Sequence, residues 1–285
     1  NPDIEVLLSD IETDIRIMKN SYGQLYVPQY EINTIQNWNL KHGYLVSMNS
    51  DATLSIYGIV NNPEENPINL IQGWHLLSYL RNSPMNIVNA LESITPSIVV
   101  VKNGAGGIYA PAWNINTIGN MLPGKAYYFF LSQADVLTYP SNSSQKSIFV
   151  ENQNLMIEKV SSNFKNTGRS LVLILETPML NDGTEINVFD EENKLVGVGF
   201  VQNSMVGIQV WGDDEYTELK DGAFDNESLK IKVKQKNSLI EMSAHNIENI
   251  IDKVSTAKLV YSNDGILFAK AMIDENATNL EIWNQ

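Results

Sequence analysis

The stretch KNGAGGIYAPAWNINTI at residues 102–118 repeats a stretch that occurs earlier in the same chain. Residues 19–35, which lie 83 positions before it, read KNSYGQLYVPQYEINTI. Aligned without a gap, residues 7–56 and 90–139 share fifteen identical positions, about 30%, where unrelated sequences would share roughly 6%. We therefore interpret the first half of the chain as a tandem duplication.

Each copy is expected to combine one helix with a small antiparallel sheet. Apolar residues recur at helical spacing from Ile4, and a strand-forming run at residues 15–18 follows this predicted helix. A turn that ends on glycine then leads into a return strand through Tyr26. Pro28 ends that strand, because proline has no N–H to donate to a neighbour. The same order of signals recurs in the second copy.

A second hairpin is predicted to close each copy. Its strands are residues 43–48 with 53–57 in the first copy, and 125–131 with 136–139 in the second. The second copy also has an opening strand at residues 68–79, and the equivalent of this strand would lie before Asn1. We expect either that the first copy is cut short or that another segment fills the gap. An unfilled slot would favour strand exchange with neighbouring subunits, unless the first copy is closed by its own residues.

The remainder of the chain is expected to be all β. Short runs rich in Val, Ile, Leu and aromatic residues, separated by turn signals such as Asn-Asp-Gly, are typical of a β-sandwich. The predicted strands are residues 170–176, 185–189, 195–201, 206–211, 229–234, 239–243, 258–261 and 266–272, with a helical interruption at 247–254. The fold class is thus α+β and all-β. The expected domains are an incomplete α+β repeat at residues 1–60, a complete α+β repeat at 61–144 and a β-sandwich at 145–285.

Charge and composition exclude several kinds of partner. The chain has 33 acidic and 19 basic residues, a formal net charge of −14, and no basic patch, so nucleic acid is not expected to bind. Cysteine is absent, which excludes disulfides and thiolate metal sites. No run of 18 apolar residues occurs, and membrane insertion is not expected.

Catalytic signatures are also missing from the sequence. The three histidines lie far apart, and the chain has neither a Gly-x-Ser-x-Gly motif nor a His-Glu-x-x-His motif. We expect no enzyme activity, no catalytic residues and no cofactor. The one candidate ion is calcium, for which Asp213, Asp214 and Asp221 supply hard oxygen ligands near loop tips. The alternative is that these aspartates cap local N–H groups.

Two sets of phrases resemble modules of a known kind. In the repeat region they are GWHLLSY at residues 73–79, VKNG at 101–104, YAP at 109–111, NTIG at 116–119 and PGKAY at 123–127. In the last domain they are DGTEINVF at 182–189, LVGVG at 195–199, VWGDD at 210–214, Thr217 and KDG at 220–222. Together they resemble the tandem repeats and following β-sandwich of large secreted and surface proteins of Bacteroidetes-type bacteria, and also marine phage structural or fibre proteins. The departures are His75, where the pattern usually has Asn, and Ala126, where it usually has Gly. The resemblance implies an extracellular, cell-surface or virion-surface setting, and no established activity or ligand.

Aromatic and amide side chains recur together in both copies. Flat rings beside amide groups are what sugar-binding sites use, although the same residues could fill the core and brace the loops. The candidate ligand-binding residues are Tyr30, Asn33, Trp38, Tyr109, Trp113 and Asn116. The function expected first is therefore a non-enzymatic adhesion module at a cell or virion surface, with a glycan or surface receptor as partner. The alternatives are a structural subunit or spacer of a surface fibre, pilus-like filament or phage tail fibre, and, less favoured, a hydrolase.

Overall fold

The computed structural model describes residues 2–144, 164, 166–214, 217–236 and 238–273. These residues are mostly β-strand with a few short helices, which confirms the broad α+β and all-β prediction. The chain divides into two compact units. One comprises Asn1–Asn103 with Ile118–Val150, and the other Gly104–Thr117 with Glu151–Gln285.

The first segment, residues 3–57, forms a short helix and a four-stranded sheet. The helix begins after Asp3, whose carboxylate accepts the backbone N–H of Glu5 at 2.8 Å and so caps the first turn. The elements of this segment are α1 (Ile4–Leu8), β1 (Ile15–Lys19), β2 (Leu25–Val27), β3 (Ile32–Asn33) and β4 (Leu45–Met48). The sheet has the strand order β3-β2-β1-β4. Ile4, Leu8 and Tyr26 are buried in its core.

The region from residue 61 to 144 adds a longer series of elements. They are β5 (Ile68–Leu70), β6 (Gly73–Ser78), β7 (Met85–Asn86), α2 (Ile87–Ala90), β8 (Ile98–Lys102), β9 (Ile108–Ala110), β10 (Ile115–Asn116), β11 (Asn120–Met121), β12 (Ala126–Leu131) and β13 (Asp135–Leu137). In the first compact unit, β12 lies between β6 and β8, and β13 pairs with β5. The second hairpin predicted for each copy is therefore wrong: β12 and β13 pair with other strands, and residues 53–57 form no strand.

Elements of the first segment recur 83 residues later, in the second segment, residues 86–140. β1 begins at Ile15 and β8 at Ile98, and the three-residue 3₁₀ turn after Val27 recurs after Ala110. Both turns end on a residue with φ of 54°, Glu31 in one and Asn114 in the other. This left-handed conformation is uncommon outside glycine, so its recurrence reflects a shared backbone path.

Side-chain hydrogen bonds recur with the same offset. Thr34 Oγ1 accepts the N–H of Leu25 at 2.7 Å, and Thr117 Oγ1 accepts the N–H of Ile108 at 2.8 Å. Likewise the hydroxyl of Tyr44 accepts the N–H of Asn39 at 2.9 Å, and that of Tyr127 accepts the N–H of Leu122 at 2.9 Å. These identical residues therefore form the same hydrogen bonds in both segments.

Residues 166–273 form one large sheet in the described part of the second unit. Its strands are β14 (Ser170–Glu176), β15 (Glu185–Phe189), β16 (Leu195–Phe200), β17 (Met205–Trp211), β18 (Lys230–Gln235), β19 (Ser238–Asn249), β20 (Val254–Thr256) and β21 (Ile266–Ile273). Their order is β16-β15-β18-β19-β21-β14-β17, with β20 on β19. The two end strands approach closely, since a Cβ at Gly199 would lie 2.7 Å from Val206 of β17. The sheet is therefore nearly closed around its apolar core.

Two sequence predictions fail in this sheet. The helix predicted at residues 247–254 is instead the end of β19, a turn and β20. The turn forms because Asn249 Oδ1 accepts the N–H groups of Ile251 and Asp252, a local bond that competes with helix formation. The strand predicted at residues 258–261 is reduced to one bridge between Val260 and Ser228.

Candidate binding surfaces

Tyr30 is the most exposed of the predicted ligand-binding residues. Its side chain follows β2 on the 3₁₀ turn and is 68% exposed. Asn33, on β3, is already bonded: its amide donates to Glu5 Oε1 at 2.9 Å, and its Oδ1 accepts the N–H of Gln36 at 2.8 Å. In the first segment, Asn33 therefore bonds to the loop backbone and to α1, while the ring of Tyr30 is exposed to solvent.

Trp38 belongs to the edge of the core. Its ring stacks on Tyr44 with 4.6 Å between centroids and an interplanar angle of 29°. Both rings pack against the buried cluster of the first segment, and burial raises the pKa of the Tyr44 hydroxyl. The indole faces another protein ring, which leaves less of it available for a ligand.

The three candidates in the second segment lie on the β9–β10 hairpin, which belongs to the second compact unit. Tyr109 is buried, and Asn116 lies opposite it in the strand pair. Trp113 stacks on Phe268 of β21, with 6.3 Å between ring centroids and an interplanar angle of 23°. This hairpin therefore packs against the large sheet of its own unit, which leaves the rings of Tyr109 and Trp113 less accessible to a ligand.

The hairpin covers the outer face of the nearly closed sheet. Strand register aligns Gly207, Ile174 and Phe268 side by side on β17, β14 and β21. A Cβ at Gly207 would lie 3.0 Å from Ile115, so glycine permits the close approach of the hairpin. Trp113 contacts Phe268 on the other side. Ile174 between them is fully buried, although it is not part of the interior core.

Sequence reasoning missed this docking, although a signal was present. The unbroken apolar run of β14 indicated a strand buried on both faces, in contrast to the alternation of a half-exposed strand. The sequence did not indicate which element lies on its outer face. The structure assigns that role to the β9–β10 hairpin.

The corresponding hairpin of the first segment, β2–β3, has no such cover in the described residues. Ile32 is 41% exposed, whereas its counterpart Ile115 is 2% exposed. Among the described residues, no aromatic ring packs against Tyr30, the counterpart of Trp113. Two hairpins of the same local geometry therefore differ in burial. We call the Tyr30–Ile32 surface the bare hairpin.

The three aspartates predicted to bind calcium lie in one loop and bond to its backbone. Asp213 Oδ1 accepts the N–H of Asp221 at 2.7 Å, and Asp221 Oδ1 accepts the N–H of Asp214 at 3.0 Å. Across the described residues, no group of three or more His, Cys, Asp or Glu side chains is placed to hold a metal ion. This geometry corresponds to the capping alternative and gives the calcium prediction no support.

A buried ionic cluster stands beside that loop. Lys220 Nζ lies 2.9 Å from Asp190 Oδ2 and 2.8 Å from Glu227 Oε1, and the Asp190 side chain is fully buried. Burial disfavours the ammonium, but hydrogen bonds to the two carboxylates outweigh this, so the pKa of Lys220 is raised well above its ordinary value. A lysine held in this protonated state is suited to holding the loop in place.

Comparisons of the chain with protein-family models, curated proteins and solved structures found no match. None of the helices in the described ranges has the length and apolar character needed to cross a membrane.

Proposed function

We propose that this chain is a non-enzymatic assembly module that joins β-rich domains, as a spacer or subunit of a cell-surface or virion-surface structure. The observation that carries this proposal is the difference between the two hairpins. One is buried on a β-sheet face, and its counterpart presents Tyr30 and Ile32 to solvent. Its partner would be a β-sheet face of another protein, with glycine opposite Ile32 and an aromatic ring opposite Tyr30.

The proposal includes a common origin for the two segments. Recurring strands, left-handed turn residues and threonine hydrogen bonds, all offset by 83 residues, support two copies of one ancestral module. The nearly closed sheet would serve as the β-sandwich of that architecture, with opposite arcs packed face to face. On this basis the bare hairpin retains the docking geometry of the buried one.

The full chain can supply its own test partner. The double substitution Trp113→Ala with Ile115→Ser should release the covering hairpin and expose Gly207 and Phe268. The bare hairpin of one molecule should then dock on the exposed face of another, giving concentration-dependent association in sedimentation velocity. Adding Tyr30→Ala and Ile32→Ser should abolish the association.

Near-UV circular dichroism serves as the folding control for both variants. A folded, monomeric double variant would refute the proposal. So would an association that persists after the changes at Tyr30 and Ile32.

Glycan binding is the second candidate, favoured by the exposed ring of Tyr30. It would rest on the first segment, since Tyr109 is buried and Trp113 is stacked on Phe268. A glycan array with wild-type chain and the Tyr30→Ala variant separates the two functions. Specific binding that is lost on substitution would favour the sugar.

A further inference from the structure

A second surface of the first segment is open for a different reason. β4 is the last strand of its sheet, and within the described residues no strand pairs with its outer edge. Val46 on this edge is 45% exposed. Ile56, which lies further along the chain beyond β4, is 52% exposed. We call the edge of β4 together with residues 52–54 the open slot.

The same positions are covered in the second segment. Phe129 and Leu131, the counterparts of Val46 and Met48, are fully buried, as is Tyr139, the counterpart of Ile56. Two pairings account for this: β6 pairs along β12, and β5 pairs along β13. The segment from Ile68 to Ser78 thus covers both positions at once. Among the described residues, no strand pairs beside residues 53–57 in this way, and these residues form no strand.

The covering segment places an aromatic ring over a buried lysine. Trp74 of β6 lies over the buried ammonium of Lys102, with 4.6 Å from Nζ to the ring, and its ring edge contacts Phe130. Lys19 is the counterpart of Lys102, and it lies opposite Leu45 as Lys102 lies opposite Tyr128. No ring lies over Lys19 in the described part of the chain. A cation and apolar neighbours thus remain without the aromatic cover that their counterparts have.

One end of the slot is already closed by the chain itself. The N–H of Gly43 donates to the carbonyl of Leu76 at 2.9 Å, and His42 forms a bridge with Leu77. This limits a docking strand to the stretch opposite Leu45–Met48 and residues 52–54. The predicted gap in the first copy is therefore partly filled by β6 and open beyond it.

We propose that the open slot binds an extended segment of another polypeptide with the pattern Ile-x-Leu, a turn, and Gly-aromatic-x-Leu, antiparallel to β4. By the register of β6 on β12, the glycine lies opposite Met48, the aromatic residue opposite Ser47 and the leucine opposite Leu45. The aromatic ring covers Lys19. Backbone hydrogen bonds to the free edge hold the segment, and its alternate side chains select it.

The probe is a synthetic peptide with the sequence of residues 67–77, added to the full chain. We expect saturable binding, with slowed amide exchange confined to residues 45–48 and 52–54. Val46→Glu should weaken binding at least about tenfold, because the docked strand would bury its charge. Val88→Glu is the matched control, since Val88 is 47% exposed on α2, an element that is not part of the slot. A peptide with alanine in place of the tryptophan should bind several-fold more weakly.

Three outcomes would overturn the proposal. The first is a lack of saturable binding to a chain that circular dichroism shows to be folded, and the second is binding that Val46→Glu leaves unchanged. The third is a wild-type chain that dimerises through β4, which would make a second copy the occupant. Tyr30→Ala with Ile32→Ser should leave peptide binding intact, so a failure here is distinguishable from a failure of the bare-hairpin proposal.

Discussion

Truncating the same residue in the two hairpins should have unequal effects. Ile115→Ala removes a side chain that is 2% exposed, and Ile32→Ala removes its counterpart, which is 41% exposed. At roughly 0.8 kcal/mol per methylene plus a cavity cost, the first change should lower the free energy of unfolding by about 3 kcal/mol. The second should cost about 1 kcal/mol, since much of that side chain is already in water.

The comparison carries its own control. Both isoleucines follow a left-handed residue with φ of 54° and precede the same Asn-Thr pair, so local backbone costs should cancel. The assay is urea unfolding followed by circular dichroism, with the slope checked for constancy. Equal losses of stability, within about 0.5 kcal/mol, would contradict the assignment of one buried and one bare hairpin.

Three further predictions concern stability. Lys220→Met leaves Asp190 and Glu227 as buried unpaired carboxylates and should cost about 3–5 kcal/mol in chemical unfolding, while Lys234→Met, at an exposed pair, should cost below about 1 kcal/mol. Burial raises the pKa of Tyr79 from 10.0 to about 12. The contribution of Tyr79 to the free energy of unfolding should therefore be fully present below pH 10 and fall by roughly 2–3 kcal/mol as the pH rises to about 12. Thermal melts of the Tyr79→Phe variant at alkaline pH should lack this loss of stability. Millimolar calcium should leave the melting temperature unchanged, because the loop carboxylates already accept backbone hydrogen bonds. A rise in the melting temperature would instead support calcium binding by this loop.

Local signals predicted the parts of the fold that local bonds stabilise. The strand after α1, the turn that ends on glycine and the end of β2 before Pro28 all occur where the sequence predicts them. Each of these features depends on residues close together in the chain. Predictions failed where pairing was decided at a distance. The sequence predicts a hairpin between β12 and its neighbour in the chain, β13, but β12 pairs with β6 and β8.

The candidate ligand-binding residues were predicted from residue type, but tertiary packing determines which of them are exposed. Aromatic rings and amides recur in both segments, which the sequence records without ambiguity. Asn33 bonds to Gln36 in its own loop and to Glu5 of α1, and Trp113 stacks on Phe268, more than a hundred residues further along the chain. No local pattern distinguishes an exposed ring from one that a distant strand covers.

The sequence alone determined that one stretch occurs twice with the same turns, because backbone conformation follows from glycine, proline and short-range hydrogen bonds. Only the tertiary structure decided that Ile115 is buried and Ile32 is exposed, although both positions hold the same residue. The physical reason is that burial depends on which surface the rest of the chain brings close. Gly207 and Phe268 meet one hairpin, and no described residue of the chain covers the other in the same way.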